Sequence, residues 1–227
     1  MQHLPRVTVW AWERREDLRT LDPTTTAVAW LDRTILLDSN GFTVEPRRQP
    51  LLLPVSASLT RIPVVRIETR NSPELSDASA QAAAQAILQA VDSRTAVLQI
   101  DFDALRSQRD WYRDVLTHVR SSLPANIPLS ITALASWCSY DNEWLHSLPV
   151  DEAVPMLFRM EPDRRSAAAL GRLGSPELTI REPLCSGSVG ISTHERWPVQ
   201  LASKRVYIFP DAGWQHDDLK ETVKQLW

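Results

Sequence analysis

The stretch Gln99-Ile100-Asp101-Phe102-Asp103 alternates polar and apolar side chains, which is the pattern of a β-strand with two different faces. One face carries the amide and both carboxylates, whereas Ile100 and Phe102 lie on the other face. In a parallel barrel, the apolar face contacts helices and the polar face points into the barrel. This strand therefore predicts a barrel with acidic groups inside it.

Similar strands recur along the chain in alternation with polar, helix-compatible segments, which indicates parallel strands joined by crossover helices. The sequence therefore predicts an α/β fold, a single (β/α)8 barrel of the TIM type that spans residues 1–227 as one domain. The eight predicted strands are residues 7–13, 27–36, 64–68, 96–103, 129–135, 154–159, 188–192 and 205–209. The predicted helices are residues 76–91, 107–122, 140–147, 163–173 and 217–227.

The second crossover departs from this alternation. Residues 43–57 contain several prolines and few helix formers, so we predict an irregular extended segment that covers one end of the barrel. The alternative fold, an open doubly wound sheet, usually begins with a GxGxxG loop that binds phosphate. The chain has no such motif and only six glycines. We therefore favour the barrel and predict no nucleotide or other cofactor.

Composition excludes several classes of protein. A net charge of -3, spread along the chain, argues against a nucleic-acid partner. We expect a soluble chain without a transmembrane segment or signal peptide, because no run of about 18 apolar residues occurs; the compartment, and export of a longer precursor, are left open. The five histidines lack HxH or HExxH spacing, so no metal site is predicted. The two cysteines, Cys138 and Cys185, are too far apart in sequence for the CxxC spacing of a zinc cage. Whether they form a disulfide with each other is left open.

Four carboxylates at predicted strand ends are the candidate catalytic residues. Asp101 and Asp103 end the fourth strand at its carboxyl end, where barrel enzymes place their active sites. Glu68 ends the third strand and Glu13 ends the first, so both are expected at the same rim. Either glutamate could supply the second carboxylate that acid and base catalysis of glycoside hydrolysis needs.

Two arginines leave a structural alternative open. Arg66 shares a strand face with Glu68, and Arg159 ends the sixth predicted strand. Either arginine could pair with Asp101 or Asp103 in a buried ionic network. In that case the acids would stabilise the barrel instead of acting on a substrate.

Nine tryptophans are many for this length, and several fall near predicted strand ends. Core packing explains most tryptophans, but a rim of indole rings also provides flat surfaces with a polar N–H that suit stacking on sugars. We therefore expect a carbohydrate ligand. The expected substrate-binding residues are Trp12, Trp30, Trp137, Arg66, Arg159, Tyr207 and Asp211.

Four segments together resemble the bacterial domain of unknown function 3142 family, from the first strand to beyond the sixth; they are residues 9–14, 98–104, 128–138 and 148–160. That resemblance implies no established activity. More distantly, Ile-Asp-Phe-Asp at 100–103 is similar to the acidic fourth-strand motif of chitinase-like glycoside hydrolases, which implies a sugar-cleaving ancestry. Those enzymes carry their acid Glu two residues beyond the motif's last Asp, where this chain has Leu105.

Two functions are compatible with these features. The first is a glycoside hydrolase-like enzyme with Asp101 or Asp103 as acid and Glu68 or Glu13 as second carboxylate. The second is a non-catalytic carbohydrate-binding or interaction barrel, which Leu105 favours because the chitinase-like acid is missing. A scaffold protein without a sugar ligand is a third, less specific alternative.

Overall fold

The computed structural model describes residues 1, 3–39, 41–158, 179–194, 204–214 and 216–224. Eight parallel strands in these ranges form a closed ring, which confirms the predicted (β/α)8 barrel. The order around the ring is β1-β3-β6-β7-β8-β9-β10-β11, and β11 pairs again with β1. The strands are β1 (Val7–Ala11), β2 (Glu16–Asp17), β3 (Thr26–Asp38), β4 (Gly41–Pro46), β5 (Leu51–Leu52), β6 (Arg61–Thr69), β7 (Leu98–Asp101), β8 (Leu129–Leu134), β9 (Glu152–Met156), β10 (Ser188–Ser192) and β11 (Arg205–Phe209).

Helices lie between or after strands of the ring. Helix α1 (Asp77–Leu88) joins β6 to β7, α2 (Arg109–Ser122) joins β7 to β8, and α3 (His216–Lys224) follows β11. The sequence begins α1 with a capping box, in which Ser76 Oγ accepts the backbone N–H of Ser79 and Ser79 Oγ accepts that of Ser76. These helices overlap three of the predicted ones.

The predicted helix over 140–147 is wrong, because this segment consists of successive turns. Asp141 pairs with Arg109 at the start of α2, while Trp144 is buried in the core outside the ring. These tertiary contacts outweigh the weak helix preference of so short a segment. The predicted helix over 163–173 lies outside the described residues.

The second crossover is extended and irregular, as predicted. Strand β4 pairs antiparallel with the second half of β3, and β5 pairs with β2. The backbone N–H of Arg47 then donates to the carbonyl of Asp32 at 2.7 Å, which holds the crossover against β3. Extended backbone with many prolines takes the place of a helix here.

An irregularity between Leu31 and Arg33 reverses the side-chain alternation of β3. Before it, Val28 and Trp30 pack outside the ring with β1 and β11. After it, odd-numbered residues such as Ile35 pack outside the ring against the core that includes α1. One extra residue in a strand shifts every later side chain to the other face.

The interior of the ring is filled by side chains from alternate strand positions, as in other barrels of this type. Aromatic rings are prominent among them: Trp10 lies 5.1 Å from Phe209, and Phe209 lies 4.8 Å from Phe158, between ring centroids. The buried hydrophobic residues of this interior cluster are Trp10, Ala27, Ala29, Leu31, Ile62, Val64, Val97, Val154, Phe158, Tyr207 and Phe209.

A polar network lies deeper in the ring, toward the amino ends of the strands. One carboxylate oxygen of Glu152 accepts hydrogen bonds from Ser130 Oγ at 3.1 Å and from the Tyr207 hydroxyl at 3.0 Å. The other oxygen pairs with Arg205. Gln99 Nε2 donates to Ser130 Oγ at 3.1 Å and extends the network to β7. Glu152 is therefore buried with its charge compensated and its oxygens bonded.

Cys138 and Cys185 form a disulfide with a Cα–Cα distance of 5.8 Å, which answers the pairing that the sequence left open. It joins the turns after β8 to a short 3-10 helix, Pro183–Cys185, that precedes β10. The carbonyl of Cys138 also accepts the backbone N–H of Arg181 at 2.9 Å. Such pairings are common in exported proteins and rare in the reducing cytosol.

Replacing Gly190 tests the packing of the interior. In Gly190→Ala, the added Cβ would lie 3.0 Å from a ring carbon of Phe209 and 3.5 Å from one of Phe158. Overpacking of this kind costs about 1–3 kcal/mol, so the free energy of unfolding in urea should fall by that amount. Gly187→Ala is the matched control, because its nearest neighbour is the guanidinium of Arg205 at 3.7 Å. Equal stability of the two variants would contradict this account of the interior.

Candidate functional site

The carboxyl ends of β6 and β7 bring an ion pair to the mouth of the ring, between the partly buried Arg66 and the buried Asp101. Arg66 Nη1 lies 2.7 Å from Asp101 Oδ2, and the hydroxyl of Thr132 on β8 donates to Asp101 Oδ1 at 2.6 Å. Asp101 is only 3% exposed. Both of its oxygens are therefore occupied, by one charged and one neutral donor.

Glu68 lies at the end of β6 and shares the guanidinium of Arg66. Arg66 Nε donates to Glu68 Oε1 at 3.0 Å, and Arg70 Nη2 donates to Glu68 Oε2 at 2.8 Å. Partial burial opposes ionisation of Glu68, but the two arginines outweigh it and lower the pKa of the carboxyl. For Arg66, burial is likewise outweighed by Asp101 and Glu68, which raise its pKa. The group is a compact network of ionised side chains.

Asp103 lies two residues beyond Asp101 and differs from it. Part of the residue is open to solvent, and its carboxyl makes no hydrogen bond or ion pair with the described part of the chain. The surrounding protein desolvates its carboxyl, and the negative charge of Asp101 adds to that effect, against a smaller opposing effect of Arg66. Together they raise the pKa of Asp103 to about 6. Asp103 can therefore hold or release a proton near neutral pH.

Trp12 follows β1 and gives the mouth an aromatic side. Its ring centroid lies 4.2 Å from that of Trp10 and 6.2 Å from that of Phe209. The guanidinium carbon of Arg66 lies 5.8 Å from the Trp12 ring. Because Trp12 is half-buried, part of the indole is available at the mouth beside the ionised network.

Two predicted acids, Glu13 and Asp211, are held in loops near the rim, Glu13 through its carboxylate and Asp211 through its backbone carbonyl. Glu13 Oε1 accepts the backbone N–H groups of Arg48 and Gln49 at 2.9 and 2.8 Å. The carbonyl of Asp211 accepts a hydrogen bond from Arg14 Nη1 at 2.7 Å. Glu13 therefore anchors the second crossover, and the structure does not bring its carboxyl into the network around Arg66.

Three of the predicted ligand-binding residues are buried away from the mouth. Trp30 is even-numbered like Val28 and therefore packs outside the ring. Trp137 lies in the turns after β8 and packs edge-on against Trp144, with centroids 4.7 Å apart. Tyr207 is inside the ring but fully buried, and its hydroxyl is bonded to Glu152. Arg159, the other predicted partner of the aspartates, lies outside the described residues.

Thr132 and Arg47 are residues that sequence reasoning missed. Thr132 is two residues after Ser130 on β8, so strand alternation predicts an inward side chain that could contact Asp101. Arg47 bonds to Trp12 O at 2.6 Å and also to Arg14 O, which holds the segment that carries Trp12. No sequence pattern indicates the contacts of Arg47, because they depend on the path of the crossover.

A closed parallel barrel with ionisable and aromatic side chains at the carboxyl ends of its strands has the arrangement that TIM-barrel enzymes use. Residues 58–157 match the model of a family described as a domain of unknown function (DUF3142). This match confirms the predicted family resemblance over the segment that contains β6 to β9, slightly less than half of the chain.

A solved structure is also similar, the crystal structure of the Bacillus cereus spore cortex-lytic enzyme SleL, with 14% sequence identity and a TM-score of 0.47. The alignment covers 83% of this chain and 51% of that chain, so this chain spans about half the length of that enzyme. A search of curated proteins found no match.

Within the described ranges, no group of three or more His, Cys, Asp or Glu side chains is placed to hold a metal ion. No helix in the same part of the chain is long and apolar enough to cross a membrane.

Removing Arg66 tests whether it compensates the buried charge of Asp101. Arg66→Met leaves that carboxylate with Thr132 as its remaining donor, and breaking such a pair costs about 3 kcal/mol or more of unfolding free energy. Arg70→Met should cost less than about 1 kcal/mol, because the Arg70 side chain is exposed and pairs with the outer oxygen of Glu68. Urea unfolding measures both variants.

The double variant Arg66→Met, Asp101→Asn should recover a large part of the lost stability, since it removes the uncompensated charge. If the single and double variants are equally unstable, the pairing with Asp101 is not what makes Arg66 important.

Proposed function

We propose that the barrel is a glycoside hydrolase-like enzyme that binds a carbohydrate at its mouth and uses Asp103 as the proton donor. The observation that carries this proposal is the placement of Asp103, which has no hydrogen-bond or ion-pair partner in the described part of the chain and follows β7 two residues after the fully bonded Asp101. Desolvation and the charge of Asp101 raise the pKa of this carboxyl to about 6. General acids are effective when their pKa lies near the working pH. A carboxyl held protonated near pH 6 can donate to the oxygen of the leaving group.

The neighbouring acids have environments that suit different roles. Glu68 is kept ionised by Arg66 and Arg70, so it can act as the base that takes a proton from the attacking water. Asp101 has both oxygens occupied and acts on Asp103 through its charge. Two carboxyls whose pKa values are moved apart are what acid and base catalysis requires.

In the proposed reaction, the proton of Asp103 goes to the glycosidic oxygen as the bond from that oxygen to the anomeric carbon breaks. Water attacks the anomeric carbon and gives its proton to Glu68. Trp12, half-buried beside Arg66, supports the proposal as a flat surface on which a sugar ring can stack.

One observation favours a second candidate, a carbohydrate-binding barrel without catalysis. Arg66 engages both Asp101 and Glu68, so neither acid is free in this structure to act as a nucleophile. Leu105 also occupies the position at which chitinase-like enzymes have their acid. Both candidates bind a carbohydrate, but only the enzyme hydrolyses it.

Asp103→Asn separates the two candidates. The amide cannot donate a carboxylic proton, so hydrolysis should fall by about 10²- to 10⁴-fold, the usual contribution of a general acid. Release of reducing sugar is measured on a panel of polysaccharides and aryl glycosides, and binding of the same compounds is measured by calorimetry. Asp110→Asn on α2 is the control, because that side chain is almost fully exposed and pairs with Arg113 on the same helix. Wild-type binding without turnover would favour the non-catalytic barrel, and turnover unchanged in Asp103→Asn would reject Asp103 as the acid.

The pH dependence follows from the two shifted carboxyls. Protonated Asp103 is lost as the pH rises through about 6, so kcat/KM should fall above that value. Ionised Glu68 is lost only below its lowered pKa, which puts the acidic limb of the profile well below pH 6. In Asp103→Asn the alkaline limb should disappear from any residual activity. A limb that persists unchanged in this variant belongs to another group.

A further inference from the structure

Three large apolar side chains are exposed at the end of β8 and on the segments that follow β7 and β8. Leu105 is 64% exposed, Leu134 is 37% exposed and Tyr140 is 56% exposed. We call these three residues the apolar rim. The remaining exposed large hydrophobic residues of the described part belong to the second crossover: Phe42, Leu52 and Val55.

Two members of the apolar rim, Leu105 and Leu134, are at the same end of the barrel as Asp103. Leu105 follows Asp103 by two residues. Leu134 shares the inward face of β8 with Thr132, whose hydroxyl contacts Asp101. Strands β7 and β8 are paired as far as Ile100 and Ile131, and Asp103 and Leu134 each lie three residues further along the chain, so both belong to the carboxyl ends of these neighbouring strands.

The loop that carries Tyr140 is fixed on both sides of this residue. Two residues before it, Cys138 is held by the disulfide to Cys185. One residue after it, the carboxylate of Asp141 accepts hydrogen bonds from both terminal nitrogens of Arg109. Arg109 is the first residue of α2, in the crossover that follows Asp103. These contacts fix the backbone on both sides of Tyr140, so little backbone entropy is lost when a ligand packs on this residue.

We propose that the apolar rim binds the leaving group of the substrate, and that this leaving group is an aryl aglycone. The inference rests on the proposed function, since a general acid must lie within hydrogen-bond reach of the leaving oxygen. The group attached to that oxygen is therefore placed beside Asp103, where Leu105 and Leu134 offer no hydrogen-bonding side chain. The sugar itself occupies the other side of the mouth, toward Arg66 and Trp12.

Paired ligands test the inference by binding alone. The Asp103→Asn protein is titrated with phenyl and methyl glycosides of glucose, galactose, mannose and N-acetylglucosamine. For the sugar that binds, the phenyl glycoside should bind about 10-fold more tightly than the methyl glycoside, given the usual strength of aromatic contacts. Tyr140→Ala in this background should remove most of that advantage and leave the Kd of the methyl glycoside unchanged. Tyr140→Phe should keep the advantage, because the ring remains.

Breaking the disulfide tests the preorganisation of Tyr140. Cys138→Ser with Cys185→Ser should weaken the phenyl glycoside more than the methyl glycoside, and a thermal melt reports whether the variant is folded. If phenyl and methyl glycosides bind equally, or if Tyr140→Ala weakens both to the same extent, the apolar rim does not bind the leaving group, although the carbohydrate site would stand. If none of the glycosides or polysaccharides binds, the proposed function fails, and this inference fails with it.

Discussion

Strand β1 pairs with β11 on one side and with β3 on the other, and this double pairing closes the sheet into a ring. Closure removes the free edges of these strands and confines alternate side chains to a narrow interior. Aromatic and aliphatic side chains fill that interior. Its buried polar groups are hydrogen-bonded to one another in the network around Glu152. The same closure brings the carboxyl ends of eight strands to one mouth, so the site depends on it as much as the core does.

The burial of charge inside the ring decides which acids are structural. Glu152 and Asp101 are both almost fully buried, and each has an arginine and a hydroxyl donor on its oxygens. Such acids are compensated and contribute to a specific packed arrangement. Asp103 differs because it has no such partner in the described part of the chain while it lies in the field of Asp101. An uncompensated acid next to a compensated one is a feature that packing alone does not require.

Local periodicity was sufficient to predict the strands and the inward direction of Asp101. Two-residue alternation determines which face a side chain is on, and the closed ring makes one of those faces the interior. Alternation could also have placed Trp30 outside the ring, since it shares a face with Val28. The position of Trp30 near a strand end suggested that it lies at the rim, but the strand face to which it belongs places it outside the ring. The reversal at Asp32 could not be predicted, because the extra residue is defined only by how β3 pairs with β6.

The partners of the site residues could be predicted less well than their positions. Arg66 and Glu68 lie two apart on one strand face, so their contact is visible in the sequence. The role of Glu13 is not visible, because its partners are backbone N–H groups of a crossover that is 35 residues away in the chain. Trp137 is similar, since its burial depends on Trp144 and on the disulfide beside it. Long-range contacts of this kind are set by loop paths, for which local patterns carry little information.

The extended crossover shows how such a loop can contribute to a site without supplying a side chain to the mouth. A helix in this place would satisfy its own backbone, whereas the extended segment leaves donors that need acceptors elsewhere. The backbone N–H groups of Arg48 and Gln49 donate to the carboxylate of Glu13. The guanidinium of Arg47 donates to the backbone carbonyls of Trp12 and Arg14, which lie on either side of Glu13 in the chain. The backbone that carries Trp12 is thus held on both sides by the crossover. A mouth that has to keep an aromatic ring beside Arg66 gains this rigidity from the segment of the barrel that departs most from the regular alternation of strand and helix.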